Sequence, residues 1–128
     1  MEKVVVHSTT GLYAQEVCMR NHMMLADATV EEGGENKGPT PHEYLAAALA
    51  ACSMITMKMY AKRKNWDVGN TEVSVKVVHQ GEKTIFEKEI IFYTGLSTDE
   101  KDKLREIATK CPIHKTLKST IEIQTTES

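Results

Sequence analysis

The side chains with the clearest chemical potential in this 128-residue sequence are its three cysteines, Cys18, Cys52 and Cys111. A thiolate is a nucleophile, and its reactivity depends on what surrounds it. Cys52 stands in the middle of "AAALAACSMITMKMY", residues 46–60, an almost uninterrupted apolar stretch. Two readings are open for it: an inert thiol filling a core, where cysteine is common, or a nucleophile that the segment hides. Cys111 precedes Pro112, which biases it away from helical dihedrals and suits the proline to the first position of a following short helix. The thiol then sits at that helix's N-cap, where unpaired N–H groups favour a thiolate; the alternative is that Cys111 merely ends the helix before it. Cys18, between Val17 and Met19 in a strand pattern, reads as core. His114 falls three residues after Cys111, and a Cys-x-x-His pair without a second pair is a poor metal signature, so neither metal nor other cofactor is expected. His7, His22 and His79 occupy strand patterns, while Trp66 and the methionines Met23, Met24, Met54, Met57 and Met59 read as packing or pocket residues.

The elements that must position these residues follow from periodicity and punctuation. "KVVVHST", "YAQEVCMR" and "HMMLADATV" read as strands, with a turn at Thr10-Gly11. "EEGGENKGPTP" has the composition of a connecting loop. Thr40 then caps a helix that has Pro41 at its first position and Glu43 completing a capping box, and this helix runs to about Lys64. "TEVSVKVVHQ" and "TIFEKEIIFYT" alternate at period two and are joined by "GEK", a second hairpin. "LSTDEKDKLREIATK" begins with a Ser97/Thr98 cap and stops at Cys111-Pro112, and "STIEIQTT" reads as a last strand. The order is βββ-α-ββ-α-β in a single α+β domain over residues 1–128.

From Tyr44 to Met57 the first helix has no charged residue and only Ser53 and Thr56 as polar side chains, so it is apolar nearly all round. A chain of this length has little material to wrap such a helix, and Ala46, Ala47, Ala48, Ala50 and Ala51 would let another backbone come close. A second subunit is the economical cover, and a homodimer is expected. With 41% hydrophobic residues and a formal charge of −2, the composition suits a globular domain and gives no sign of a nucleic-acid partner. "MEKVVVHS" carries no export or lipidation signal, and Lys58 interrupts the longest apolar run, so no membrane span is expected. Three widely spaced cysteines argue for free thiols in a reducing compartment, hence a cytoplasmic protein.

"GPTPHEYLAAALAACSMITMKMYAKRKNW" followed some way on by "CPIHKTLKS" resembles the OsmC/Ohr family (osmotically inducible protein C and organic hydroperoxide resistance protein), in particular its shorter OsmC-like members. The specific parts are Pro41-His42-Glu43, the alanine-rich run into Cys52, and Cys-Pro-Ile-His-Lys at 111–115. The resemblance implies an intertwined homodimer with a long buried central helix against a curved antiparallel sheet. It also implies a metal-free peroxidase: Cys52 reduces an organic hydroperoxide and becomes a sulfenic acid, Cys111 resolves it as a disulfide, and a dithiol of lipoyl type restores the pair. The family's peroxidases add an arginine from the N-terminal strands and a glutamate that holds it. Arg20 is the only arginine before the helix here, and the residue directly after the proline is His42, with Glu43 one later. Glu43 precedes Cys52 by nine residues, which at about 100° and 1.5 Å per residue puts the two on opposite faces, roughly 13 Å apart. Glu43 therefore either reaches Cys52 from a partner subunit or serves only in the capping box. Two other functions fit the same residues: redox sensing or apolar-ligand binding without turnover, and transfer or hydrolysis at Cys52 with His42 and Glu43 as polar partners.

Overall fold

The computed structural model describes residues 3–93 and 95–127, and the chain divides into two compact units, one ending at Leu45 and one starting at Ala46. The N-terminal unit is an antiparallel sheet of β1 (Val4–Ser8), β2 (Gln15–Met19) and β3 (His22–Ala26) in that order. Val6, Val17 and Met24 share one row across it, and Cys18 lies opposite Val5 and Met23. A two-residue turn, Arg20-Asn21, joins β2 to β3, with Arg20 at φ 54°, the left-handed geometry that such hairpins require at the first turn position.

β3 ends at Ala26 rather than continuing through "DATV", and Asp27 is the reason. Its buried carboxylate accepts hydrogen bonds from the backbone N–H groups of Ala28 (2.7 Å), Lys37 (3.0 Å) and Glu35 (3.3 Å). Those bonds fold the glycine-rich segment back on the strand end instead of letting the ladder extend. Gly34 and Gly38 pass so close to the carbonyls of Ala28 and Leu25 that a Cβ on either would collide with backbone.

α1 (Pro41–Lys64) starts as its sequence dictates: Glu43 N–H donates to Thr40 Oγ1 (3.2 Å) and Thr40 N–H to Glu43 Oε1 (2.8 Å), a complete capping box. It stops at Asn65, which takes φ 57°, with Asn65 N–H bonded to the Lys62 carbonyl and Trp66 N–H to that of Ala61, a Schellman closure. By length and composition α1 could cross a membrane, which corrects the expectation that Lys58 leaves no run long enough. Its buried residues Leu49, Ser53, Met57 and Ala61 recur every fourth position, so it shows one face to the core of its own chain. Ala48, Ala51, Ile55 and Met59 stay exposed.

In the C-terminal unit, β4 (Thr71–Gln80) and β5 (Lys83–Phe92) form an antiparallel hairpin closed by Gly81-Glu82, with Gly81 at φ 61°. α2 (Thr98–Ala108) begins with a capping box between Ser97 and Glu100. The core joins Met57 and Ala61 of α1 to Leu104 and Ala108 of α2 and to Val68, with Val73, Ile90 and Phe92 of the hairpin packed against it. Burying side chains such as Met57 and Leu104 contributes about 1.5–3 kcal/mol each.

α3 (Pro112–Lys118) follows at once, N-capped by Cys111. The α+β class with two antiparallel sheets and a central helix stands, but the last strand does not form. Residues 120–127 carry no regular secondary structure, and Ile121 and Ile123 are 59% and 86% exposed. A strand needs a neighbour for its N–H and C=O groups, and this segment pairs with neither hairpin.

Candidate active site

The period-two alternation of β5 puts Phe86, Lys88, Ile90 and Phe92 on one face and Glu87 and Glu89 on the other. The inward face is apolar except at Lys88, which lies opposite Val75 of β4. Its ammonium has three hydrogens, and three acceptors meet it: Ser53 Oγ at 2.9 Å, the Ala108 carbonyl at 3.2 Å and His114 Nδ1 at 3.3 Å. One lysine thus ties together α1, the end of α2 and the start of α3.

Cys111 sits within this cluster and is fully buried. His114 N–H donates to its Sγ at 3.3 Å, and Ser53 Oγ lies 3.8 Å from it. The half-buried Cys52 thiol is close enough to act on Cys111. Burial on its own pushes the Cys111 thiol up. The hydrogen-bonding contacts with His114 and Ser53, together with the neighbouring Cys52 thiol and the Lys88 charge, outweigh it and hold the thiol below its ordinary value. Burial pushes the Lys88 ammonium down, while negative charge on Cys111 and Cys52 supports it. His114 is likewise lowered, first by burial and then by Lys88 and Lys118.

Lys88 and His114 also border an apolar cleft of about 660 Å³, walled by Leu49, Ile85, Phe86, Leu117 and Ile121. No group of three or more His, Cys, Asp or Glu side chains suited to a metal occurs among the described residues.

The other expected site residues belong to the N-terminal unit. Glu43 closes the capping box of α1, and Arg20 stands at the β2–β3 turn, its side chain exposed. His42 occupies the exposed first turn of α1, and Cys18 is half-buried in β2. Two members of the cluster were not singled out from the sequence as site residues, Lys88 and Ser53. Both left a signal there: Lys88 is a charge on the inward register of an alternating strand, and Ser53 is one of two polar residues in the apolar run of α1.

The family model for OsmC-like proteins matches residues 34–126. Among solved structures, a Psychrobacter arcticus protein assigned to the osmotic stress and detoxification response is 21% identical over 91% of this chain and 88% of its own, with a TM-score of 0.76. An organic hydroperoxide resistance protein from Legionella pneumophila is 20% identical over 92% of this chain and 90% of its own, with a TM-score of 0.63. Another from Elizabethkingia anophelis is 22% identical over 95% and 92%, with a TM-score of 0.65. No curated protein matches the sequence. The solved structures share the fold, and the family model spans well over half of the sequence: this chain belongs to the OsmC-like protein family.

Proposed function

We propose that the protein is a thiol-dependent reductase of organic hydroperoxides, acting as a cytoplasmic homodimer through Cys52 and Cys111. The observation that carries this reading is a pair of neighbouring thiols beside a half-buried lysine that is hydrogen-bonded to Ser53. The half-buried Cys52 sulfur attacks the terminal oxygen of R–O–O–H, the O–O bond breaks, and ROH leaves with Cys52 oxidised to sulfenic acid. Cys111 then attacks the Cys52 sulfur, water leaves, and a disulfide remains. An external dithiol reduces it. The apolar cleft beside Lys88 and His114 suits an organic rather than an inorganic peroxide. Relatives of the same fold named for organic hydroperoxide resistance agree with this chemistry.

The test is peroxide consumption with excess dithiol, comparing cumene hydroperoxide with hydrogen peroxide. Faster turnover of the organic peroxide, abolished by Cys52→Ser, is expected; equal rates in Cys52→Ser and wild type would overturn the proposal. The cleft itself favours a second reading, an apolar-ligand binder that senses oxidation without turnover. In that case both serine variants keep their ligand affinity, and peroxide consumption stops after one equivalent even with dithiol present.

A further inference from the structure

The contacts of Cys111 Sγ suit a thiolate. The His114 backbone N–H can only donate to it. Lys88 Nζ donates to Ser53 Oγ, which leaves the hydroxyl hydrogen free to point at the sulfur 3.8 Å away. Lys88 also donates to His114 Nδ1, so that ring is neutral, with its hydrogen on Nε2. The titratable groups facing the sulfur are Cys52 from α1, Lys88 from β5 and His114 from α3, where Lys118 adds positive charge on the His114 side; α2 contributes only the Ala108 carbonyl, which Lys88 occupies.

We propose that Cys111 carries the negative charge of the resting pair, with Lys88 as its counter-charge through the Ser53 hydroxyl, and that Cys111 is the base that takes the Cys52 proton when Cys52 attacks. This ordering rests on the reductase reading only for the peroxide step. In that step Cys52 passes its proton to the Cys111 sulfur and attacks the terminal peroxide oxygen. The O–O bond breaks with its electron pair on RO, which takes the proton from Cys111 and leaves as ROH. Cys52 is then a sulfenic acid and Cys111 is again a thiolate. In the second step the Cys111 sulfur attacks the Cys52 sulfur, the S–O bond breaks, and the leaving hydroxide takes a proton from Lys88 by way of Ser53. The products are disulfide, water and a neutral lysine amine. Lys88 is thus a positioning residue in the reduced site and its proton store during oxidation. The loss of the thiolate removes the charge that had supported its ammonium against burial.

Thiolate absorbance of the reduced full-length protein against pH, in a Cys18→Ser background, tests this without any peroxide. The thiolate band should rise at lower pH than that of a free cysteine, a shift lost in Cys111→Ser and kept in Cys52→Ser. Lys88→Met and Ser53→Ala should lose the shift, and Lys88→Arg, which keeps the charge, should retain part of it. A shift that vanishes in Cys52→Ser and survives in Cys111→Ser, or one that Lys88→Met leaves in place, overturns the inference. Peroxide turnover is read separately. A Cys111 thiolate in a protein that consumes no hydroperoxide contradicts the reductase reading alone, and turnover without that thiolate contradicts this inference alone.

Discussion

Lys88 Nζ donates to Ser53 Oγ across 2.9 Å, a single hydrogen bond that joins the β4–β5 hairpin to the middle of α1. Ser53 is fully buried, and its oxygen has no solvent to fall back on. Ser53→Ala leaves one hydrogen of a half-buried ammonium without its acceptor, at a cost of about 1–3 kcal/mol. Urea unfolding followed by circular dichroism should show the loss; Ser53→Thr, which keeps the hydroxyl, should recover part of it. An alanine variant as stable as wild type would mean that the bond contributes nothing to folding.

The titration of the cluster gives stability a definite slope with pH. His114, held down first by burial, has a folded pKa below its ordinary 6.5. Between those two values the unfolded chain binds a proton that the folded chain refuses, so stability falls as pH drops through that window. Cys111 works in the same sense at higher pH: its folded pKa lies below 9.0, and stability rises with pH between the two. The urea midpoint of the reduced protein should therefore climb from mildly acidic to mildly alkaline pH. His114→Gln should flatten the acidic part of that climb; an unchanged slope in this variant would place the acid sensitivity elsewhere.

On α1, Ala48, Ala51, Ile55 and Met59 form the face opposite the buried row, and Ile55 and Met59 are 53% and 63% exposed. An apolar helical stripe of this kind fits a second copy of the chain. Ile55→Glu should weaken self-association by about tenfold or more, read by sedimentation equilibrium. Wild-type protein that sediments as a folded monomer at micromolar concentration would refute the dimer.

In the N-terminal unit the tightest constraint is at Gly34, where an added Cβ would strike the Ala28 carbonyl. Gly34→Ala should cost about 1–3 kcal/mol and open the segment after Asp27 to limited proteolysis. Cleavage kinetics identical to those of wild type would show that the loop yields without penalty.

Local rules carried the sequence a long way. Thr40, Pro41 and Glu43 marked the start of α1, Ser97 that of α2, and Pro112 put Cys111 at an N-cap, because caps are decided by a few adjacent residues. Period two revealed the β4–β5 hairpin for the same reason. Long-range groupings were harder. Lys88 looked like one more charge between two glutamates, and only the register of β5 shows that it points inward while Glu87 and Glu89 point out. The resemblance points to an arginine before the helix, where Arg20 stands, and says nothing of Lys88, whose charge acts on Cys111 from a strand that follows α1. "STIEIQTT" alternates well, but alternation is only half of a strand, and the neighbour that completes it cannot be read from one segment.

Stoichiometric oxidation followed by peptide mapping reads directly whether Cys52 and Cys111 work as a redox pair. Reduced protein treated with one equivalent of cumene hydroperoxide, then alkylated and digested without reductant, should give one Cys52–Cys111 disulfide per chain, with Cys18 alkylated. Unoxidised Cys52 and Cys111 after that treatment, or a disulfide that involves Cys18 instead, would contradict the account.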